Sequence, residues 1–144
     1  MSAEENKALV RRWIEEGWNQ GNVAIIDELA APDFVDHHLA PGLPPNADGH
    51  KAWFQVARAG FPDLQLTIED MIADGDRVVA RMTVTGTQTG EFMGLPPSGK
   101  LVSVTAIGIS RIADGKSVEY WEIFDALGLM QQIGAIPSSG QSSS

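Results

Sequence analysis

The chain has 144 residues, ten Lys and Arg against 19 Asp and Glu, and no cysteine, which fits one ordinary domain without disulfides, thiolate metal sites or a cysteine nucleophile. A net charge of −9 argues against nucleic acid and an anionic membrane as partners, because both are held mainly by clustered Lys and Arg; a neutral, apolar ligand suits the balance better. No apolar run approaches the length that spans a bilayer, and the opening Met-Ser-Ala-Glu-Glu-Asn-Lys lacks the basic-then-apolar order of a signal peptide, so a cytoplasmic protein is expected.

Ser2 and Glu5 make an S-x-x-E capping box ahead of an amphipathic run with Leu9, Val10, Trp13, Ile14 and Trp18 on one face, the first predicted helix. Asn19 to Asn22 reads as a turn, with Asn22 capping a short second helix through Leu29 that Pro32 stops. Asp33 to Leu39 is expected to be a polar, half-extended piece carrying Asp36, His37 and His38, followed by a Pro- and Gly-rich loop from Pro41 to Gly49. Asp48 reads as the cap of a third helix from His50 to about Gly60, with Trp53, Phe54, Val56 and Ala57 apolar.

After Phe61-Pro62-Asp63 the hydrophobic period changes to two. Leu64, Leu66 and Ile68 mark a strand, Asp74-Gly75-Asp76 a hairpin turn, and Arg77 to about Thr89 a long strand. A connection from Gly90 to Gly99 leads to a strand from Lys100 to Ile112, and Asp114-Gly115 turns the chain into Val118 to Asp125. Ala126 to Ile133 is expected to be helical, and Ser138 to Ser144 is a polar tail with nothing to bury. Helices first and an antiparallel meander afterwards is an α+β order; three amphipathic helices on a twisted sheet would enclose a cone suited to a small molecule.

The last strand spends a carboxylate where an apolar residue is expected. By alternation Val118, Tyr120, Glu122 and Phe124 share one face, so an inward face would leave Glu122 poorly solvated, with its proton held tightly, a candidate acid or base. The plain alternatives are a Glu paired with Arg or a solvent-facing Glu in an inverted register. Gln88 shares a face with Met82, Val84 and Gly86, and could donate to a substrate carbonyl there. His37 and His38, adjacent on an extended piece, face opposite sides, so at most one lines the pocket; no H-x-H or H-x-x-E-H spacing points to a metal. His50 reads as a rim residue of the third helix. Trp53 and Phe124, like the other aromatics, read first as core and second as walls of an aromatic site. Arg81 and Arg111 fall on the outer sheet face, and Asp125 is placed to cap the last helix.

Phe61-Pro62-Asp63, the run Gly86-Thr87-Gln88-Thr89-Gly90-Glu91-Phe92-Met93-Gly94, Pro96-Pro97-Ser98-Gly99, Arg111 with Asp114-Gly115-Lys116, Trp121 to Asp125, and Gln132-Ile133-Gly134 recur in one order and spacing. Together they resemble the SnoaL-like polyketide cyclases of the NTF2-like superfamily, across almost the whole chain. The resemblance implies an NTF2-like (cystatin-like) α+β barrel, with N-terminal helices packed on a curved antiparallel sheet around a conical pocket. The single domain would span residues 1–137. It also implies ring closure of aromatic polyketides by intramolecular aldol condensation without metal or cofactor. The family's acid/base aspartate falls at Glu122, its partner histidine at Gly108, a second histidine at Gln88 and a pocket asparagine near Asp36.

The expected function is a cofactor-independent cyclase, lyase or isomerase acting on an apolar or aromatic carbonyl compound. Glu122 would be the base, with Gln88, Asp36, His37 or His38 and Tyr120 orienting the substrate and Trp53, Met82 and Phe124 around it. An epoxide-hydrolase-like hydrolase and a non-catalytic ligand-binding or dimerisation module are the alternatives. Val79, Ile107, Ile109 and Trp121 on the outer sheet face point to a homodimer.

Overall fold

A computed structural model describes residues 2–37 and 39–137; His38 and the tail from Ser138 lie outside the described residues. Helix α1 (Ala3–Arg12) starts from the expected capping box, in which Ser2 Oγ accepts from Glu5 N and the Glu5 carboxylate accepts from Ser2 N. It runs on into a π-helical stretch, Trp13–Trp18, whose wider winding closes on Asn19 N donating to Ile14 O. Asn22 Oδ1 accepts from Ala24 N at the start of α2 (Ala24–Leu29), and α3 (Ala47–Gly60) follows.

The sheet has the order β1-β5-β4-β3-β2, from β1 (Ala30–Asp36), β2 (Gln65–Asp74), β3 (Arg77–Thr87), β4 (Leu101–Ala113) and β5 (Lys116–Phe124). β2 to β5 form the antiparallel meander, and α4 (Ala126–Gln132) closes the chain with Asp125 accepting from Gly128 N as its cap. Alternation on β4 turns Val102, Val104, Ala106, Ser110 and Ile112 inward; all but Ser110 join Leu66, Val78, Ala80 and Met82 from the sheet and Leu9, Trp13, Ile14, Ile26 and Phe54 from the helices in one apolar cluster.

Four expectations are corrected. Residues 30–36 are a parallel edge strand on β5, which the helical stop read into Pro32 concealed; β1 forms at one sheet edge, where a residue without an N–H is tolerated. The cap of α3 is Asn46, whose side chain accepts from Gly49 N, two residues ahead of Asp48, and Val56 is exposed. β3 ends at Thr87. On β5 the pairing slips between Arg111↔Glu119 and Ile112↔Ser117, a bulge at Val118 that sends Ser117 rather than Val118 into the core. The bulge lies before Tyr120, so the parity of Tyr120, Glu122 and Phe124 holds.

Candidate active site

Between α3, α4 and the inner sheet face lies a cavity of about 70 Å³, lined by Trp18, Trp53, Ala57, Phe61, Leu64, Leu66, Val84, Val102, Val104, Glu122, Phe124 and Leu129. Eleven of these twelve are apolar or aromatic, and Glu122 is the one ionisable group. Glu122 comes from β5, paired with Gly108 of β4. Loss of solvent pushes its carboxyl above the ordinary value; the hydrogen bond from Tyr120 opposes that rise, and the Asp36 charge adds to it. Tyr120 Oη donates to Glu122 Oε1 at 2.5 Å, and burial followed by the Glu122 charge pushes the phenol well above its usual range, so it keeps its proton and acts as a donor.

Behind this pair sits a polar cluster closed off from water. Asp36 (4% exposed) and His50 (2%) meet with Oδ2 and Nδ1 2.7 Å apart, and the indole N–H groups of Trp13 and Trp18 both reach His50 Nε2 at 3.3 Å. An indole N–H only donates, so Nε2 accepts, Nδ1 carries the proton, and that proton goes to Asp36. Two tryptophans five residues apart converge on one atom because the π-helical winding, with its i→i+5 hydrogen bonds, brings such residues to the same side. The His50 ring stands edge-on to Tyr120, with centroids 5.9 Å apart, so the cluster backs the phenol that holds Glu122.

The family model for the SnoaL-like polyketide cyclases matches residues 8–133. The chain belongs to that family. It is 29% identical over 122 residues to the nogalonic acid methyl ester cyclase of Streptomyces nogalater, covering 81% of this chain and 89% of that one. It is 29% identical over 132 residues to the aklanonic acid methyl ester cyclase DauD of Streptomyces sp. strain C5, covering 88% and 80%. Among solved structures, TsrD from Streptomyces laurentii superposes with a TM-score of 0.85 at 31% identity, over 94% of this chain and 99% of TsrD. The α+β architecture read from the sequence is therefore that of the SnoaL-like, NTF2-like proteins.

Of the residues singled out in this SnoaL-like chain, Glu122, Tyr120, Asp36, Trp53 and Phe124 are gathered in and around the cavity. Met82 is in the core but outside the cavity lining. Gln88 faces inward, yet its amide is fully used: Nε2 donates to Leu95 O and Pro96 O, and Oε1 accepts from Ser98 N, so it latches the β3–β4 connection. His37 stacks on Trp121 at 4.7 Å and bonds Glu119, which also binds Arg111, on the opposite side of β5 from Glu122. Those two partners hold the Glu119 carboxyl below its usual value. Arg81 pairs with Asp70 on the sheet surface, as expected. His38 lies outside the described residues. His50 is the residue that sequence reasoning misplaced, since it is buried rather than at the rim. Its spacing to Phe54 and Ala57, i, i+4 and i+7, is the signal that would have put it on the inner stripe of α3. Among the described residues no group of three or more His, Asp or Glu is placed to hold a metal.

Proposed function

We propose that the chain catalyses an aldol-type ring closure on an apolar, polyketide-like carbonyl compound, with Glu122 as the proton-transfer group. The observation that carries this reading is that, among the described residues, Glu122 is the one ionisable side chain lining an otherwise apolar cavity, with its proton affinity raised. The carboxylate takes a proton from the carbon α to a carbonyl, and the electron pair of that C–H bond moves into an enolate. The enolate carbon then bonds to a second carbonyl carbon of the same molecule. The resulting alkoxide recovers the proton from Glu122, so the product is an isomer of the substrate and the enzyme is unchanged. Among the described residues no Arg or Lys lines the cavity, which supports this chemistry over activation of water on an epoxide. The enclosed volume is well below the roughly 300 Å³ at the low end for ligand pockets, so a multi-ring substrate enters by displacing part of the wall.

The test uses nogalonic and aklanonic acid methyl esters, the compounds in the relatives' names, with deuterium uptake and cyclised product followed by mass spectrometry. Glu122→Gln is expected to lower turnover by about 10² to 10⁴-fold, the usual range for a general base, with the circular dichroism spectrum unchanged. A Gln variant that turns over normally refutes the assignment, and a native protein that neither exchanges nor cyclises either ester favours a binding module instead. Two copies pairing through the outer sheet face is part of the same proposal, supported by exposed Leu101, Ile107 and Ile123 there.

A further inference from the structure

We propose that Tyr120 is a positioning residue for Glu122, fixing one carboxylate oxygen and keeping the group ionised, and that Gly108 is the position that admits its hydroxyl. The inference rests on the reading of Glu122 as the proton acceptor.

Gly108 and Glu122 are directly opposite across β4 and β5, so a side chain at 108 would rise on the same face as the carboxylate. That space is filled. A Cβ built on Gly108 would overlap Tyr120 Oη and stand 2.9 Å from Cζ, closer than real Cβ atoms approach, with Cε1 at 3.0 Å. The phenol therefore lies along the strand over the backbone of residue 108, and from there it reaches Glu122 Oε1. Any larger residue at 108 would lift the ring and break that bond.

The groups facing Glu122 make this bond decisive. β1 contributes Asp36, α3 contributes His50 and β5 contributes Tyr120, while the nearby inner face of β4 offers Ala106, Gly108 and Ser110, none of them titratable. The rest of the cavity wall is apolar. Burial and the Asp36 charge both drive the carboxyl towards its protonated form, which cannot take a proton from carbon. Among the described residues the Tyr120 hydroxyl is its one direct hydrogen-bond donor, and a phenol that keeps its proton stabilises the ionised form.

The test is titration of the Glu122 side-chain carboxyl by carbon-13 NMR in the full chain, which needs no substrate. Tyr120→Phe is expected to move the midpoint up by about one to two pH units, the size of one charge-assisted hydrogen bond. Gly108→Ala is expected to move it in the same direction when Tyr120 is present and to add little in the Tyr120→Phe background. An unchanged or lowered midpoint in Tyr120→Phe overturns the proposal. So does a Gly108→Ala shift that is equally large with and without the hydroxyl. If circular dichroism shows that Gly108→Ala does not fold, the Tyr120→Phe comparison decides alone. A fully active Glu122→Gln variant would refute the catalytic reading while leaving these midpoints as they are, so the two failures are distinguishable.

Discussion

Replacing His50 by Leu removes three hydrogen bonds at once and keeps the volume nearly constant. The indole N–H groups of Trp13 and Trp18, both tryptophans being under one-tenth exposed, lose their acceptor, and the Asp36 carboxylate loses the ring donor 2.7 Å away. An unsatisfied buried neutral donor costs about 1–3 kcal/mol, and the two indoles belong at the low end because their 3.3 Å bonds are long. A hydrogen bond to a charged group is worth roughly 1.5–3 kcal/mol, and Asp36 keeps other interactions, so that contribution is partial. The expected loss is on the order of 3–5 kcal/mol, set against a total stability of about 5–15 kcal/mol for a domain. Urea unfolding followed by tryptophan fluorescence measures it, and His50→Gln, whose amide can both accept from the indoles and donate to Asp36, should recover part of the loss. A His50→Leu variant within about 1 kcal/mol of the parent would show that the cluster is not bonded as described.

The Gln88 latch predicts that Gln88→Ala costs roughly 1–3 kcal/mol and, more specifically, that the Ser98 amide, now bonded to Gln88 Oε1, exchanges its hydrogen much faster; unchanged Ser98 protection would refute the latch. Glu122 has a raised proton affinity in the folded state, so its ionisation opposes folding: the penalty is absent below the unfolded value of about 4.3 and grows as pH rises through the folded value. Glu122→Gln should therefore be more stable than the parent at pH 7 and lose that advantage near pH 4, measured by urea midpoints at both pH values; an advantage that grows on acidification contradicts the assigned burial. Ile123→Arg, changing a 70%-exposed residue of the outer sheet face, should turn a dimer into a monomer by sedimentation, and a parent that already sediments as a monomer removes that part of the proposal.

The meander was legible because period-two alternation and Asp-Gly turns are local signals, and β2 to β5 follow them to within two residues. Glu122 was legible for the same reason: parity alone set it beside Tyr120 and Phe124. β1 was not, since a parallel edge strand is defined by a partner some 85 residues away, here Asp36 against Tyr120, and a proline near its start imitates a helix stop. Gln88 was placed on the correct face, but a side-chain amide satisfied by its own loop looks in sequence like one offered to a ligand. His50 was missed because the cap was set two residues late, at Asp48, which turned an inward stripe into a rim. The space over Gly108 was read as a lost partner, and no sequence pattern shows that the tyrosine two residues before Glu122 lies there.

The π-helical stretch after α1 has a further consequence for how this chain tolerates change. α1 packs on β2 and β3 through one stripe, while Trp13 and Trp18 serve the His50 cluster, and the extra residue in the widened turns sets the phase between these two duties. Ordinary α winding over the same residues would set Trp18 about 140° around the axis from Trp13, five steps of about 100° each, instead of on the same side. Either the stripe or the indoles would then face the wrong way. The segment is thus a gear whose winding and tooth count are matched, holding one residue more than α winding would between the stripe and the indoles.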